Sequence, residues 1–346
     1  MDNKISVIII AHDRADFIGE AIKSLQFQTI EKKLFETILV KNFTDNDIDN
    51  LSLNLGFKMI LTDVKSAYEK LLLGFLNSTG NIITFLEDDD TYSSERLGEI
   101  YTFFNVNDNV CYYHNHHTVI SSNGKILFAN GLDVYSKDRF FFVRKHSGVD
   151  ISFKTILKLK EMRGDFNISS IAVKRELIEE AIAKYGTQMF AGDIYLFLAA
   201  LGSDCDIALD MKPLTNYRVH STNFSVPMFL GGDINDFLNR RIALMNFQKE
   251  NNQRLSAIFN CLYKGTALGK FSDFEYAFTN LNLYILSGKF RLREVYTNLF
   301  IFIRSLKLNN VKLLFEFLLL VIGLTLNKQL YKYLYISFFF QIKQRV

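Results

Sequence analysis

Cysteine is scarce: Cys111, Cys205 and Cys261 are the only three in 346 residues. Their wide separation excludes the close pairing of a zinc site, and an odd number argues against a disulfide framework. A reducing compartment is the expectation. Proline is scarcer still, at two, which suits a chain rich in helices and strands. There is no convincing repeat and no low-complexity stretch. No leader is evident either, because "MDNKISVIII" runs straight into a strand-like segment. These absences favour an ordinary cytoplasmic protein.

What is present is apolar. Hydrophobic residues make up 49% of the chain and aromatics 14%, with 33 Phe, which excludes a disordered chain. The length allows one large domain or two ordinary ones. The net charge of +3 hides an uneven spread. From Lys289 to the end, ten Lys and Arg face two Glu, so the first 288 residues carry about five net negative charges. The basic residues lie among Phe, Leu and Ile rather than in a polar stripe. That mixture speaks against nucleic acid and for a membrane surface.

"SVIIIA" (6–11) is a β-branched run typical of a strand buried on both faces. "HDRAD" follows, and then Phe17, Ala21, Ile22 and Leu25 recur at helical spacing. "ETILV" (36–40) and "FKMIL" (57–61) read as strands. "SAYEKLLLGFLNSTG" (66–80) reads as a helix closed by Gly80, and "NIITFL" (81–86) as a fourth strand. This alternation predicts an α/β fold with a largely parallel sheet, whose ligands bind beyond the carboxyl ends of the strands. "VCYYHNHHTVI" (110–120) alternates like a strand lining a cleft or forming an exposed edge, and "SNGK" (122–125) is a turn. "SSIAVKRELIEEAIAKYG" (169–186) is a strand running into a helix, "GDIYLFLAALG" (192–202) a helix, and "YRVHSTNFS" (217–225) a polar loop. Beyond about residue 235 the pattern is helical.

The strand at 81–86 ends in four acids, Glu87, Asp88, Asp89 and Asp90. Their mutual repulsion calls for a positive partner. Mg²⁺ or Mn²⁺ takes hard oxygen ligands, commonly one or two carboxylates plus substrate phosphates. A solvated acidic loop, capping the next helix through Ser93, Ser94 and Glu95, is the plainer alternative.

"SVIIIAHDRADFIGEAIKSLQFQ" resembles the opening of family 2 glycosyltransferases of the GT-A fold. "STGNIITFLEDDD" resembles the approach to their Asp-rich metal motif, "AGDIYLFLAALG" their acceptor helix, and "YRVHSTNFS" their Arg-x-His segment. The resemblance spans roughly residues 1–225, in the family's order. It implies a GT-A Rossmann-like mixed sheet flanked by helices, and transfer of a sugar from a nucleotide diphosphate with inversion. It also implies a divalent cation and a glycan or polyprenol-linked acceptor.

Carried over residue by residue, the resemblance makes Asp193 the general base, although a helix cap is its simpler role. Asp89 becomes the leading metal ligand, with Glu87, Asp90 and His220 beside it. Ala11, His12, Asp13, Arg14, Asn42, Lys65, Asp88 and Arg218 become the nucleotide-sugar contacts, Arg218 as a diphosphate clamp and Asp88 as a ribose partner. Three positions depart from the family: Lys41 reverses a charge, Leu72 replaces an Asn, and Gly192 replaces a Glu. These departures keep open a second class of function, a membrane-attached sugar- or nucleotide-binding module derived from a transferase. A third reading takes "FLEDDDTY" as the motif of a haloacid dehalogenase-type phosphotransferase, but Glu87 then stands at the nucleophile position and three strands precede it.

The expected division is a catalytic domain over 1–230, with a nucleotide-sugar half (1–95) and an acceptor half (96–230), followed by a helical region over 231–346. In the latter, "VKLLFEFLLLVIGLTL" (311–326) is sixteen residues long, short of the roughly 20 that span a bilayer. Flanked by Lys328, Lys332, Lys343 and Arg345, such segments suit helices lying on an anionic surface, here the inner face of the cell membrane. A plain helical bundle is the alternative.

Overall fold

The structure is a computed structural model. It describes residues 3–13, 15–129, 138–145, 150–187, 192–220, 223, 234–287, 294–295 and 297–300. The described residues fall into two units, residues 1–149 with 154–220 and residues 150–153 with 221–346.

The first unit begins with β1 (Ile5–Ala11), α1 (Ile18–Gln26), β2 (Phe35–Lys41), α2 (Asn46–Asn54), β3 (Lys58–Leu61), α3 (Ala67–Leu76) and β4 (Ile82–Glu87). It continues through β5 (Thr91–Tyr92), α4 (Arg96–Val106), β6 (Val110–Ser121), β7 (Ile126–Ala129) and β8 (Phe140–Val143). It closes with α5 (Phe153–Glu161), β9 (Ile171–Lys174), α6 (Arg175–Tyr185), α7 (Gly192–Leu201) and β10 (Asp206–Val219). The sheet order is β3-β2-β1-β4-β9-β6-β10-β5, with β7 on β6 and β8 on β10. β1, β2, β3 and β4 run parallel, β9 is antiparallel to both β4 and β6, and β10 runs parallel to β6. The β1–β4 part is parallel, as the sequence pattern predicts, and the whole is the mixed sheet flanked by helices that the resemblance implies.

All seven residues of β1 are buried, as a β-branched run between two parallel neighbours requires. α1 lays Ile18, Ala21, Ile22 and Leu25 on Ile5, Val7 and Ile9, and α4 adds Leu97, Ile100 and Phe104. Each large side chain buried here is worth about 1.5–3 kcal/mol, so a charge at Ile22 would detach α1. On α3, Gly74 permits a close helix–strand approach. A Cβ there would lie 2.3 Å from Cγ2 of the buried Ile8, closer than packed atoms approach. That approach sets α3 down beside β1.

Several expectations need correction. Cys111 and Cys205 are joined as a disulfide, against the reading drawn from the odd count. They lie 94 positions apart, but β6 and β10 are neighbours and Asp206 pairs with Val110, so their Cα atoms are 5.6 Å apart. β6 is no exposed edge. It lies between β9 and β10, and His114, Asn115, His116 and His117 are all buried. Tyr217, Arg218 and Val219 are not loop but the end of β10, held by parallel pairing with Val119, Ile120 and Ser121. α3 stops at Leu76, before Gly80.

The second unit contains α8 (Ile234–Leu262) and α9 (Ala267–Ser287), two long helices packed on each other. Leu255 and Phe259 on α8 and Phe271, Phe274 and Leu281 on α9 are buried. Ser256 Oγ donates to Asp273 Oδ1 at 2.9 Å. No described helix is long and apolar enough to cross a membrane. The basic, apolar segments from residue 301 onward lie outside the described residues.

Candidate functional site

The carboxyl ends of β1, β4 and β10 converge. β5 pairs antiparallel with β10, Tyr92 opposite Thr215 and Thr91 opposite Asn216. That pairing folds the turn Asp88–Asp90 back against the end of β10. The Arg218 amide donates to Asp90 Oδ1 at 2.9 Å, and Arg218 Nε to the Asp89 carbonyl at 2.7 Å. His220 Nε2 lies 3.0 Å from Asp89 Oδ2. Asp88 turns the other way, and its Oδ2 accepts from the His12 amide at 3.3 Å, which ties the β4 turn to the β1 loop.

Glu87, Asp89 and Asp90 each present a carboxylate oxygen, and these atoms lie within 4.8 Å of one another. Burial, then the charges of Asp89, Asp90 and Asp193, push Glu87 well above the usual carboxylate range. Burial, then Asp89, push Asp90 up to about 8 against the pull of the Arg218 amide. Crowded oxygen donors that hold protons this tightly suit a hard divalent cation, which would replace those protons. The set has oxygens plus one imidazole and no thiolate, so it fits Mg²⁺ or Mn²⁺.

Asp193 opens α7. Its Oδ1 accepts from the amide of the next residue, Ile194, at 2.8 Å, within the first turn of the helix. Burial, then the charge of Asp165, raises it to about 6. The short helical turn Ile168–Ser170 connects the two carboxylate groups: Ser169 Oγ accepts from the Glu87 amide at 3.1 Å, and the Asn167 amide donates to Asp193. A carboxylate tuned to about 6 is ionised at neutral pH and basic enough to take a proton.

At the β1 end, Lys70 is fully buried and spends its three donors there. It reaches the Ala11 carbonyl at 2.8 Å, His12 Nδ1 at 2.7 Å and Asn42 Oδ1 at 3.0 Å. His12 Nε2 lies 3.1 Å from Asp13 Oδ2. Asn42 also takes the Asp13 amide at 3.0 Å. Ala11, His12, Asp13, Asn42 and Asp88 thus form one cluster, whereas Lys65 stands exposed in the loop before α3. Arg14 lies outside the described residues.

Arg218 is not placed as a diphosphate clamp. Its guanidinium is fully buried and donates to the carbonyls of Asp89, Ser121 and Ser122 and to Glu20 Oε2, the last at 2.6 Å. It braces the acidic turn, with Phe17 packed against both Arg218 and His220. Lys41 spends its charge on α2, with Nζ buried 2.6 Å from Asp49. Sequence reading missed Lys70, Phe17 and Ser169. Lys70 had a signal, because it falls on the α3 face of Leu71, Gly74 and Phe75, where an unpaired cation is unexpected.

Residues 6–160 match the model for glycosyl transferase family 2. They form a domain of that family. An uncharacterized glycosyltransferase of Rickettsia conorii is 30% identical over 130 residues, 36% of this chain and 21% of the relative. One of Rickettsia felis is 28% identical over 135 residues, with the same coverage. The chain therefore spans about a fifth of the length of these curated relatives. Among solved structures, S. aureus TarS 1–349 in complex with UDP superposes with a TM-score of 0.53, over 88% of this chain and 81% of that one. The same protein with UDP-GlcNAc gives 0.56, over 95% and 89%. Both are 14% identical, a likeness of fold. In the family 2 domain the acidic motif follows the fourth strand, which sets the phosphotransferase reading aside.

Proposed function

We propose that this protein is an inverting, nucleotide-sugar-dependent glycosyltransferase. One observation carries the reading: Asp193, raised to about 6, is held by the Asn167–Ser170 turn next to the Glu87–Asp89–Asp90 cluster. In this scheme Asp193 takes the proton of an acceptor hydroxyl. The freed oxygen attacks the anomeric carbon from the face opposite the diphosphate, forming the new C–O bond as the old one breaks, which inverts the centre. A divalent cation held by Asp89, with Glu87, Asp90 and His220, supplies neutralising charge for the diphosphate. Ala11, His12, Asp13, Asn42 and Lys70 frame the nucleotide, and Arg218 holds the turn that presents Asp89. The UDP complexes of the TarS neighbour make a uridine nucleotide the first donor to try.

The catalytic work is assigned to residues 1–230, and 231–346 to a helical region. The basic, apolar sequence from 305 to 346 is assigned to an anionic surface at the inner face of the membrane, which makes a lipid-linked or cell-surface glycan the acceptor class. Cosedimentation of the intact chain with anionic liposomes, reduced but not abolished by salt, checks that assignment.

The test of the reaction is release of free nucleoside diphosphate from a panel of nucleotide sugars, with and without Mn²⁺. Metal-dependent release, lost in Asp193→Asn, supports the transferase. Metal-dependent binding with no release from any donor supports the binding module instead, for which Gly192 in place of the family's Glu is the favouring observation.

A further inference from the structure

One aromatic ring rests on the segment that leads into Asp193. Tyr68 lies in the first turn of α3, after the N-cap Ser66, whose hydroxyl accepts from the Glu69 amide. Gly192, the residue before Asp193, has φ 63°, and a Cβ built on it would come 2.9 Å from Tyr68 Cε1. The ring is therefore seated on the backbone that leads into α7. Burial, then the charges of Asp193 and Glu87, push the Tyr68 phenol up. The side chain is half-buried, which leaves part of it open to a ligand.

On the transferase reading above, the transferred sugar must bridge these two groups, with its diphosphate toward the cluster and its anomeric carbon within reach of a hydroxyl at Asp193. Tyr68 then flanks the sugar ring. A pyranose offers an apolar C–H face that packs on an aromatic ring. The surroundings are acidic: Glu87, Asp89, Asp90 and Asp193, with Asp165 close by and already paired with Lys160 at 2.8 Å. A divalent cation in the cluster would be matched by the two charges of the diphosphate. A carboxylate on the sugar would still face like charge in a poorly solvated place.

We propose that Tyr68, seated on Gly192, is the specificity-determining platform for the donor sugar, and that this sugar is a neutral pyranose rather than a uronate. Gly192 belongs to the same device, because any side chain there would push the ring out of place. The family's Glu is thereby exchanged for a tyrosine reaching in from α3.

The test is calorimetry on the full chain with Mn²⁺. The probes are UDP, GDP and dTDP, their neutral sugars UDP-glucose, GDP-mannose and dTDP-glucose, and the uronates UDP-glucuronate and GDP-mannuronate. Wild type should bind a neutral nucleotide sugar and bind any uronate at least about tenfold more weakly. Tyr68→Ala should weaken the neutral nucleotide sugar about three- to tenfold while leaving the bare diphosphate within about twofold. Tyr68→Phe, which keeps the ring, should behave as wild type. Where Tyr68→Ala does not fold, Tyr68→Leu carries the same expectation. Equal losses for diphosphate and nucleotide sugar, no loss in either, or a uronate bound as tightly as the neutral sugar would overturn the inference alone. A wild-type protein that binds none of the probes would overturn the transferase reading with it.

Discussion

Buried polar side chains occupy two regions of the first unit, and they are treated in opposite ways. In the middle of the sheet, Arg96 is fully buried, yet Nε donates to Asn115 Oδ1 and Nη1 to Thr84 Oγ1, each at 2.9 Å, and its guanidinium lies 3.9 Å from the Tyr92 ring centre. Tyr113 donates to Asp210 at 2.7 Å, and Arg139 binds the same carboxylate at 2.8 Å and Glu99 at 2.8 Å. At the strand ends, Glu87, Asp89 and Asp90 crowd like charge on like charge. The first region is matched within the chain, so it specifies the sheet. The second is unbalanced within the chain, and the imbalance is capacity for a ligand.

The largest effect that would sharpen this contrast is at Asp193. Asp193→Asn should fold and bind donor but transfer about 10²–10⁴-fold more slowly. Single-turnover rates measure it, and near-normal turnover would leave Asp193 as a helix cap. In wild type the same group should give an acidic limb near pH 6. The base works when ionised, so the rate should fall about tenfold per unit below that point.

Next comes the matched region. Arg96→Ala strands Asn115 and Thr84 in the interior and should cost about 3 kcal/mol or more in urea unfolding, with little change in the nucleotide affinity of the folded fraction. Native-like stability would show that the network is not needed for the sheet. Smaller in scale, Asp89→Asn should weaken metal-dependent nucleotide binding by about tenfold or more, and by more than Glu87→Gln does. Equal affinity for wild type and Asp89→Asn would remove Asp89 from the metal set.

The smallest effect is one of sign. Burial, then Arg163, lowers His116 to about 4, and burial lowers His114 to about 4. Unfolding restores ordinary histidines, so their contribution is present above about pH 6.5 and is lost as pH falls toward 4. Asp90, raised to about 8, acts the other way. Without cation it weakens the fold above pH 8, and the penalty is relieved as pH falls toward the ordinary Asp range. Unfolding measured from pH 4 to 8 in metal-free buffer should therefore show His114→Gln and Asp90→Asn changing the slope in opposite directions. Changes of the same sign would break the comparison.

Much of this was legible in the chain. The β-branched run Ile8–Ile10 ends a parallel strand, and Glu87–Asp90 follow another, so the fold class and the acidic cluster could be read from local pattern. Lys41 was misleading because its partner, Asp49, sits on the next helix, and a charge reversal says nothing about where the charge points. Arg218 was misleading for a related reason: an arginine in the right segment can serve ligand or backbone, and only the carbonyls around it decide.

The sequence by itself determined the strands β1, β2, β3 and β4, the helices α1 and α3, and the placement of four acids at a strand end. These depend on residue spacing along one strand or helix. Only the tertiary structure decided that Asp193 would stand beside that cluster, that Lys70 would fill the β1 end, that Cys111 would meet Cys205 and that Tyr68 would rest on Gly192. Each of those is a contact between segments 59 to 124 residues apart. Sheet order and register create such contacts, and short-range periodicity carries no record of them.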